Sequence, residues 1–186
     1  QFEEIEVSFL LTVVQQRVFT KMIACADYFL LWGPPGTGKT SVMLAAAVEW
    51  IIKKTDEHIL ILAYTNRAVD EICAMLDSRK SDDYEYMRIG SKYATGQNYR
   101  SKLFDSKLKG MTSRKALRQN IENTRIMVAT TSSIAGKEEL FRLKFFDTVF
   151  IDEASQILEP MIVGLLTRLK KFVLIGDHKQ LPAVVV

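Results

Sequence analysis

The chain has 186 residues, of which 48% are hydrophobic and 25% charged, a balance typical of one soluble globular domain with a substantial core. No apolar run approaches the roughly 20 residues that a membrane-spanning helix requires, and residues 1–6 lack the basic-then-apolar pattern of a secretory signal. We therefore expect an intracellular protein, cytoplasmic or nuclear and not secreted, with no membrane partner. Cys25 and Cys73 are expected to be free thiols, and the isolated His58 and His178 indicate no metal-binding cluster.

Short apolar runs alternate with helix-like stretches along the chain. The runs predicted to be strands are 28–32, 58–63, 125–130, 147–151 and 172–175. The stretches predicted to be helices are 41–54, about 67–76, about 112–120 and about 160–169, the last beginning at Pro160. Strands that are nearly all apolar and are separated by helices predict an α/β domain, in which a mainly parallel sheet is covered by helices on both faces.

The segment 79–124 interrupts this alternation, and we expect it to be a small basic insertion between two core strands. From Arg88 to Arg125 the chain carries ten basic residues and only two acidic ones, although the net charge of the whole chain is +3. Tyr93, Tyr99 and Phe104 lie among these charges. Such a surface can bind the phosphates and bases of a nucleic acid, or it can be a solvated insertion without a partner. The charge pattern alone leaves both interpretations open.

A glycine-rich loop follows the first predicted strand and precedes a predicted helix. Its residues are Gly33, Pro34, Pro35, Gly36, Thr37, Gly38, Lys39 and Thr40, which fit the pattern G-x-x-x-x-G-K-[ST] of a P-loop NTPase. In such a loop the backbone N–H groups point at phosphate oxygens, and the helix that follows adds its positive end. Lys39 is expected to reach the β- and γ-phosphates, and the Thr40 hydroxyl to ligate Mg²⁺. Ser41 is expected to complete the nucleotide contacts.

Polar residues follow two further predicted strands. Asp152 and Glu153 come directly after the strand 147–151, and the carboxyl ends of parallel strands line the ligand crevice of such a sheet. We expect Asp152 to hold Mg²⁺ and Glu153 to orient or deprotonate the attacking water, while a helix cap is the alternative. After the strand 172–175, Asp177 is expected to support this network and Gln180 to sense the γ-phosphate, with an ordinary Gly-Asp turn as the alternative.

Together these motifs resemble a superfamily 1 helicase, and they occur in that family's order. The likeness is to the first RecA-like motor domain of the AAA-type helicase group that contains the RNA-surveillance and flap-processing helicases. Gln15 stands in the position of the family's adenine-recognising glutamine, although Thr12 replaces the usual asparagine. The other matching segments are 33–40 for motif I, 63–70 for motif Ia, 128–132 for the next strand-contact motif, 152–156 for motif II and 176–182 for motif III.

The resemblance implies ATP as substrate, Mg²⁺ as cofactor and single-stranded DNA or RNA as partner. It implies that Lys39, Glu153 and Gln180 serve hydrolysis. The residues implied to contact the strand are Thr65, Asn66, Thr130 and Thr131. Residues 1–186 are implied to form one RecA-like domain, and a second such domain in the full-length protein is implied to carry arginines that complete the ATP site. The chain alone is therefore expected to bind nucleotide, to hydrolyse it slowly and not to unwind.

Two other classes of function remain open from the sequence. One is a nucleotide-dependent switch or scaffold NTPase that does not unwind, and the other is a P-loop ATPase that acts on proteins. The segments 63–70 and 176–182 favour a helicase over the second of these. The long separation between Lys39 and Asp152 also argues against AAA+ proteins, in which the equivalent acids follow the phosphate loop much sooner.

Overall fold

The computed structural model describes residues 11–78, 84–157, 159–167 and 169–177. Six strands in these ranges form one sheet: β1 Tyr28–Trp32, β2 Ile59–Ala63, β3 Tyr86–Ile89, β4 Ile126–Thr130, β5 Thr148–Ile151 and β6 Lys171–Gly176. Their order across the sheet is β1-β6-β5-β2-β4-β3, and every neighbouring pair is parallel. The predicted parallel sheet is confirmed.

Helices cover both faces of this sheet, as the apolar strands predict. They are α1 Val13–Ala24, α2 Ala45–Lys54, α3 Asn66–Asp77, α4 Phe104–Leu108, α5 Arg114–Asn123, α6 Thr131–Ala135, α7 Glu138–Leu143 and α8 Glu159–Leu166. Successive strand residues point to opposite faces, so Ile59 and Ile61 of β2 pack with α1, α2 and α3, whereas Leu60 and Leu62 pack with α5 to α8. Within the described ranges, no helix combines the length and hydrophobicity needed to span a bilayer.

The helix that follows the phosphate loop starts earlier than predicted, and with a wider turn. Residues Lys39–Leu44 form a π-helical segment, and the regular α2 begins only at Ala45. The backbone N–H of Met43 donates to the carbonyl of Gly38 over 2.9 Å, which is the five-residue spacing of a π-helix. The wide first turn therefore lies directly behind the phosphate loop.

The segment 79–124 is not an insertion throughout, because it contains β3. This strand pairs in parallel with β4 and forms one edge of the sheet, with Tyr86 opposite Ile126. Its Arg88 is fully buried and forms an ion pair with Asp70 of α3. A four-residue strand with an arginine in it gives no clear apolar pattern, and for that reason the sequence did not reveal it. The basic segment that leaves the sheet begins only after Ile89.

Candidate nucleotide-binding site

The carboxyl edge of the parallel sheet brings together most of the residues proposed from the sequence. The phosphate loop follows β1, Thr65 follows β2, Thr130 ends β4, and Asp152 follows β5. Strand β6 lies between β1 and β5, and the N–H of Gly33 donates to the carbonyl of Gly176 at its end over 3.3 Å. Motifs that are distant in the chain therefore meet at one edge of the sheet.

Two glycines give the phosphate loop its shape. Gly36 and Gly38 have φ angles of 78° and 77°, in the left-handed region that residues with a side chain rarely adopt. Gly38 also begins the helix, and a Cβ atom there would lie 3.0 Å from Cγ2 of Val42. The loop therefore needs glycine at position 38 for both its backbone angle and its packing.

We expect Gly38→Ala to destabilise the domain by about 1–2 kcal/mol and to weaken nucleotide binding, since the left-handed backbone is costly for alanine. Unfolding in urea and titration with an ATP analogue would measure the two effects. Gly136→Ala is the matched control, because Gly136 has a φ of −87° and a Cβ atom there would meet only open space. Equal stability and affinity in the two variants would contradict the role given to Gly38.

Lys39 points its ammonium group into the phosphate loop. Its Nζ donates to the carbonyl oxygens of Gly33, at 2.5 Å, and Pro34, at 2.8 Å. The Thr37 hydroxyl also donates to the carbonyl of Pro34, over 2.8 Å. The loop thus curls around the lysine, and the ammonium lies where the backbone N–H groups of such a loop would bind phosphate.

Gln15 connects the start of α1 to the tip of the phosphate loop. Its Nε2 donates to the carbonyl of Thr37 over 3.3 Å, and its Oε1 accepts from the N–H of Thr12 over 3.0 Å. The Thr12 hydroxyl in turn accepts from the N–H of Gln15, which completes a capping box at the start of α1. Thr12, which departs from the family's asparagine, therefore still fixes the position of the glutamine.

A cavity of about 490 Å³ lies against this loop. Its lining comprises Gln15, residues 36–42 and Glu71 of α3. The sequence did not single out Glu71, because its spacing from Arg67 is that of an ordinary surface ion pair, and the two do pair at 3.2 Å. A second cavity, of about 500 Å³, is lined by Glu85, Arg125 and neighbouring residues at the amino ends of β3 and β4. It contains no phosphate-loop residue, so its lining residues, rather than its volume, distinguish it from the candidate nucleotide site.

Asp152 lies against the phosphate loop through a hydrogen bond from Thr40. The Thr40 Oγ1 donates to Asp152 Oδ2 over 2.6 Å, and the N–H of Glu153 donates to Asp152 Oδ1 over 2.9 Å. The aspartate is 5% exposed. Burial raises its pKa above the ordinary value, while the Thr40 hydrogen bond, the Glu153 N–H and the charge of Lys39 oppose that rise.

Glu153 is half-buried and turns away from Asp152 towards α3. Its backbone has φ 54° and ψ 31°, and its Oε2 accepts a hydrogen bond from Thr65 Oγ1 over 3.3 Å. Burial and the neighbouring charge of Asp152 raise its pKa, and the hydrogen bonds from Thr65 oppose that effect. A raised pKa favours a carboxylate that takes a proton from water.

Thr40 and Asp152 have the chemistry of a magnesium site. Mg²⁺ prefers oxygen ligands, and it is commonly held by one or two carboxylates together with the phosphates of a substrate. The hydroxyl and the carboxylate are 2.6 Å apart, and Asp152 is buried beside the phosphate loop. These residues therefore fit the ion that the sequence predicts.

The proposed strand-contact residues differ in how far they reach the surface. Thr65 is partly exposed and Asn66 is exposed, both at the start of α3. Thr130 and Thr131 are 3% and 5% exposed. The Thr130 hydroxyl accepts from the N–H of Ser133 over 3.1 Å and caps α6. The Thr130 hydroxyl therefore serves the fold itself, whereas the buried Thr131 Oγ1 has no hydrogen-bond partner among the described residues.

The basic block is largely tied to the domain itself. Arg88 is buried in the sheet, and both Lys102 and Lys107 form ion pairs with Glu85. The guanidinium of Arg125 donates to the carbonyls of Ile51, Ile52, Thr55 and Glu57 at the end of α2 and beyond. Of the aromatic residues among these charges, Tyr93 is 96% exposed. Tyr99 packs against the core on the face of the sheet that carries α1 to α3, and Phe104 packs against the core on the opposite face. Much of the positive charge thus stabilises the fold. The number of basic residues in the sequence therefore overstates how many are available to bind a polyanion.

The last motif is described only at its start. Asp177, which follows β6, is 3% exposed. Gln180, the γ-phosphate sensor predicted from the sequence, lies outside the described residues. Its role stays a prediction.

Known proteins resemble this chain in sequence and in fold. A family model described as an AAA domain matches residues 11–116 and 98–186. The chain is 34% identical over 171 residues to the DNA replication ATP-dependent helicase/nuclease JHS1 of Arabidopsis thaliana, covering 92% of this chain and 12% of that protein. It is 33% identical over 180 residues to DNA replication ATP-dependent helicase/nuclease DNA2 of Homo sapiens, covering 92% of this chain and 16% of the relative. The chain thus spans less than a fifth of the length of these relatives.

A solved structure supports the architecture. The crystal structure of the UvsW helicase from bacteriophage T4 superimposes with a TM-score of 0.61 over 89% of this chain and 52% of that one, at 17% sequence identity. At that identity the likeness concerns the fold alone. The family match, which covers most of the chain, carries the assignment. The chain belongs to this AAA domain family, and it is similar in sequence to one segment of the DNA replication helicase/nucleases.

Proposed function

We propose that the chain is the ATP-binding half of an ATP-dependent helicase or translocase that moves on single-stranded DNA. The observation that carries the proposal is the 2.6 Å hydrogen bond between Thr40 and Asp152, which joins the phosphate loop to the acidic pair after β5. The relatives are named as DNA replication helicase/nucleases, which supports DNA over RNA as the strand and an intracellular, DNA-containing location.

Each group at the site has a proposed task. Lys39 and the N–H groups of residues 33–40 bind the phosphates, and Gln15 holds the loop at the base-binding end. Thr40 and Asp152 hold Mg²⁺, which neutralises charge on the phosphates when it is bound. Glu153 orients the attacking water and accepts its proton. Gln180 senses the γ-phosphate.

A second motor domain is part of the proposal. The resemblance to superfamily 1 helicases implies that this second domain supplies arginines to the ATP site. An arginine of this kind raises the rate of hydrolysis by on the order of 10³-fold or more where measured. The relatives are many times longer than this chain, so they have room for such a domain. Residues 1–186 alone should therefore bind nucleotide and turn it over slowly.

The test compares residues 1–186 with the full-length protein in ATPase assays, without nucleic acid, with single-stranded DNA and with single-stranded RNA. We expect slow turnover by residues 1–186, and at least a tenfold stimulation of the full-length protein by DNA. Fast turnover by residues 1–186 would refute the need for a second domain. A full-length protein that binds ATP, without stimulation by either strand, would instead be a switch or scaffold NTPase.

A further inference from the structure

Thr65 touches Glu153 across the carboxyl edge of the sheet. The threonine Oγ1 donates to the glutamate Oε2 over 3.3 Å, although 88 positions separate them in the chain. The contact follows from the parallel pairing of β2 with β5, in which Leu62 lies beside Ile151. Residues that leave these two strands in the same direction emerge next to each other. The sheet thus brings a residue of the proposed strand-contact segment to the proposed base.

The Thr65 hydroxyl has two partners and only one proton. Its oxygen accepts the N–H of Ala68 over 3.1 Å and so caps α3, while its proton goes to Glu153. A hydroxyl offers a single donor. A phosphate oxygen that accepted the hydrogen bond from the Thr65 hydroxyl would therefore replace Glu153 as its acceptor, without disturbing the cap. The Thr65 hydroxyl can therefore donate to Glu153 or to a phosphate, but not to both at once.

The two acids of the pair face different partners. Asp152 turns to Thr40 of the phosphate loop, at 2.6 Å, and Glu153 turns to Thr65 of α3. The Glu153 backbone is left-handed, with φ 54°, and among the described residues it is the only one other than glycine with a positive φ. A left-handed backbone is unfavourable for a residue with a side chain, and at Glu153 it accompanies a carboxylate that faces α3.

The surroundings of Thr65 are open to a strand. Tyr64 is 40% exposed, Asn66 is exposed, and the side chain of Arg67 is 90% exposed. An aromatic ring, an amide and a guanidinium can contact the bases and phosphates of single-stranded DNA.

We propose that Thr65 is a positioning residue that holds Glu153 in a resting orientation until a phosphate of the bound strand accepts the hydrogen bond that the Thr65 hydroxyl donates. Strand binding then frees the carboxylate to act on the attacking water. This inference rests on the proposed function, and it assigns the stimulation by DNA to one hydrogen bond.

The test measures the ATPase of the full-length protein with and without single-stranded DNA. Thr65→Val removes the donor, so we expect the rate without DNA to rise about threefold to tenfold, and the stimulation by DNA to fall by the same factor, since a typical intramolecular hydrogen bond has this order of effect. The KM for ATP should not change. Thr65→Ser retains the donor and should restore the coupling.

Two further variants separate the hydrogen bond from helix capping. Thr65→Asp keeps a capping acceptor but has no proton to donate at neutral pH, so it should release Glu153 as valine does, even if Thr65→Val folds poorly. Ser113→Ala removes the comparable cap of α5, where the Ser113 hydroxyl accepts the N–H of Ala116 over 3.4 Å, and should leave both rates unchanged.

Several outcomes would overturn the inference. An unchanged rate without DNA in Thr65→Val and Thr65→Asp would do so, and so would a parallel fall of both rates, which would mean that Thr65 holds Glu153 in its active position. Weaker DNA binding with unchanged rates at saturation would make Thr65 a strand contact only. A wild-type protein that DNA does not stimulate would overturn the proposed function as well, whereas a stimulated wild type with unaffected variants would refute this inference alone.

Discussion

Replacing Lys39 with alanine should abolish nucleotide binding at micromolar protein concentrations. The Lys39 ammonium lies inside the phosphate loop, within 2.5 Å of the Gly33 carbonyl, and the triphosphate would lose its direct point charge. Removing one member of a buried charge pair costs about 2–5 kcal/mol, which corresponds to an affinity loss of about 30-fold to several thousand-fold. Calorimetric titration of residues 1–186 with Mg²⁺ and a non-hydrolysable ATP analogue would measure it.

Lys54→Ala is the matched control for this experiment. Lys54 is exposed at the end of α2, far along the same helical segment from Lys39. Its removal lowers the net charge by the same amount without touching the loop, so the affinity should stay within about twofold, since exposed charges are largely screened by salt. Similar losses in the two variants would show that general electrostatics, rather than the loop lysine, governs binding.

Glu153→Gln should separate binding from hydrolysis. The amide has nearly the shape of the carboxylate but cannot accept a proton from water, and the loss of a general base costs about 100-fold to 10,000-fold in rate. Nucleotide affinity should remain close to that of the wild type, because Lys39, Thr40 and Asp152 are untouched. The measurement is the ATPase rate of the full-length protein with saturating DNA, alongside nucleotide titration of the same variant.

Glu139→Gln serves as the control, because Glu139 is an exposed residue in the first turn of α7. It removes one negative charge elsewhere and should leave the ATPase rate unchanged. If Glu153→Gln lost nucleotide binding as completely as Lys39→Ala, Glu153 would be a binding group rather than a base. A Glu153→Gln variant with full activity would remove it from the reaction.

The sequence predicted the parts of the fold that local pattern controls. The strand 28–32 matches β1 in both bounds, because an apolar run ends there in a Gly-Pro-Pro turn that excludes regular structure. The eight-residue pattern at 33–40 predicted a loop between a strand and a helix, and the left-handed Gly36 and Gly38 agree with it. Five of the six strands were predicted to within one or two residues, because each is a mostly apolar run. Strands β2, β4 and β5 are buried throughout, whereas β1 and β6 are only partly buried.

Features that depend on distant partners were not predictable. Arg88 appears in the sequence as a surface charge, and it is buried because Asp70 pairs with it from α3. Thr130 and Thr131 look like exposed polar residues, yet the strand that ends at Thr130 lies between β2 and β3 inside the sheet, and both threonines are buried. The bond between Thr65 and Glu153 depends on β2 lying beside β5, which no local pattern specifies.

The position of β6 has a consequence for how the domain assembles. Strand β1 forms one edge of the sheet, and within the described chain its only partner strand is β6, which is synthesised after the other five. Until that strand arrives, the growing chain can pair β2, β4 and β5 while β1 has no partner strand. Pairings between strands that are far apart in the chain are slow to form. Acquisition of nucleotide affinity would thus be a late event in the biosynthesis of this domain, and it would report that translation has passed β6.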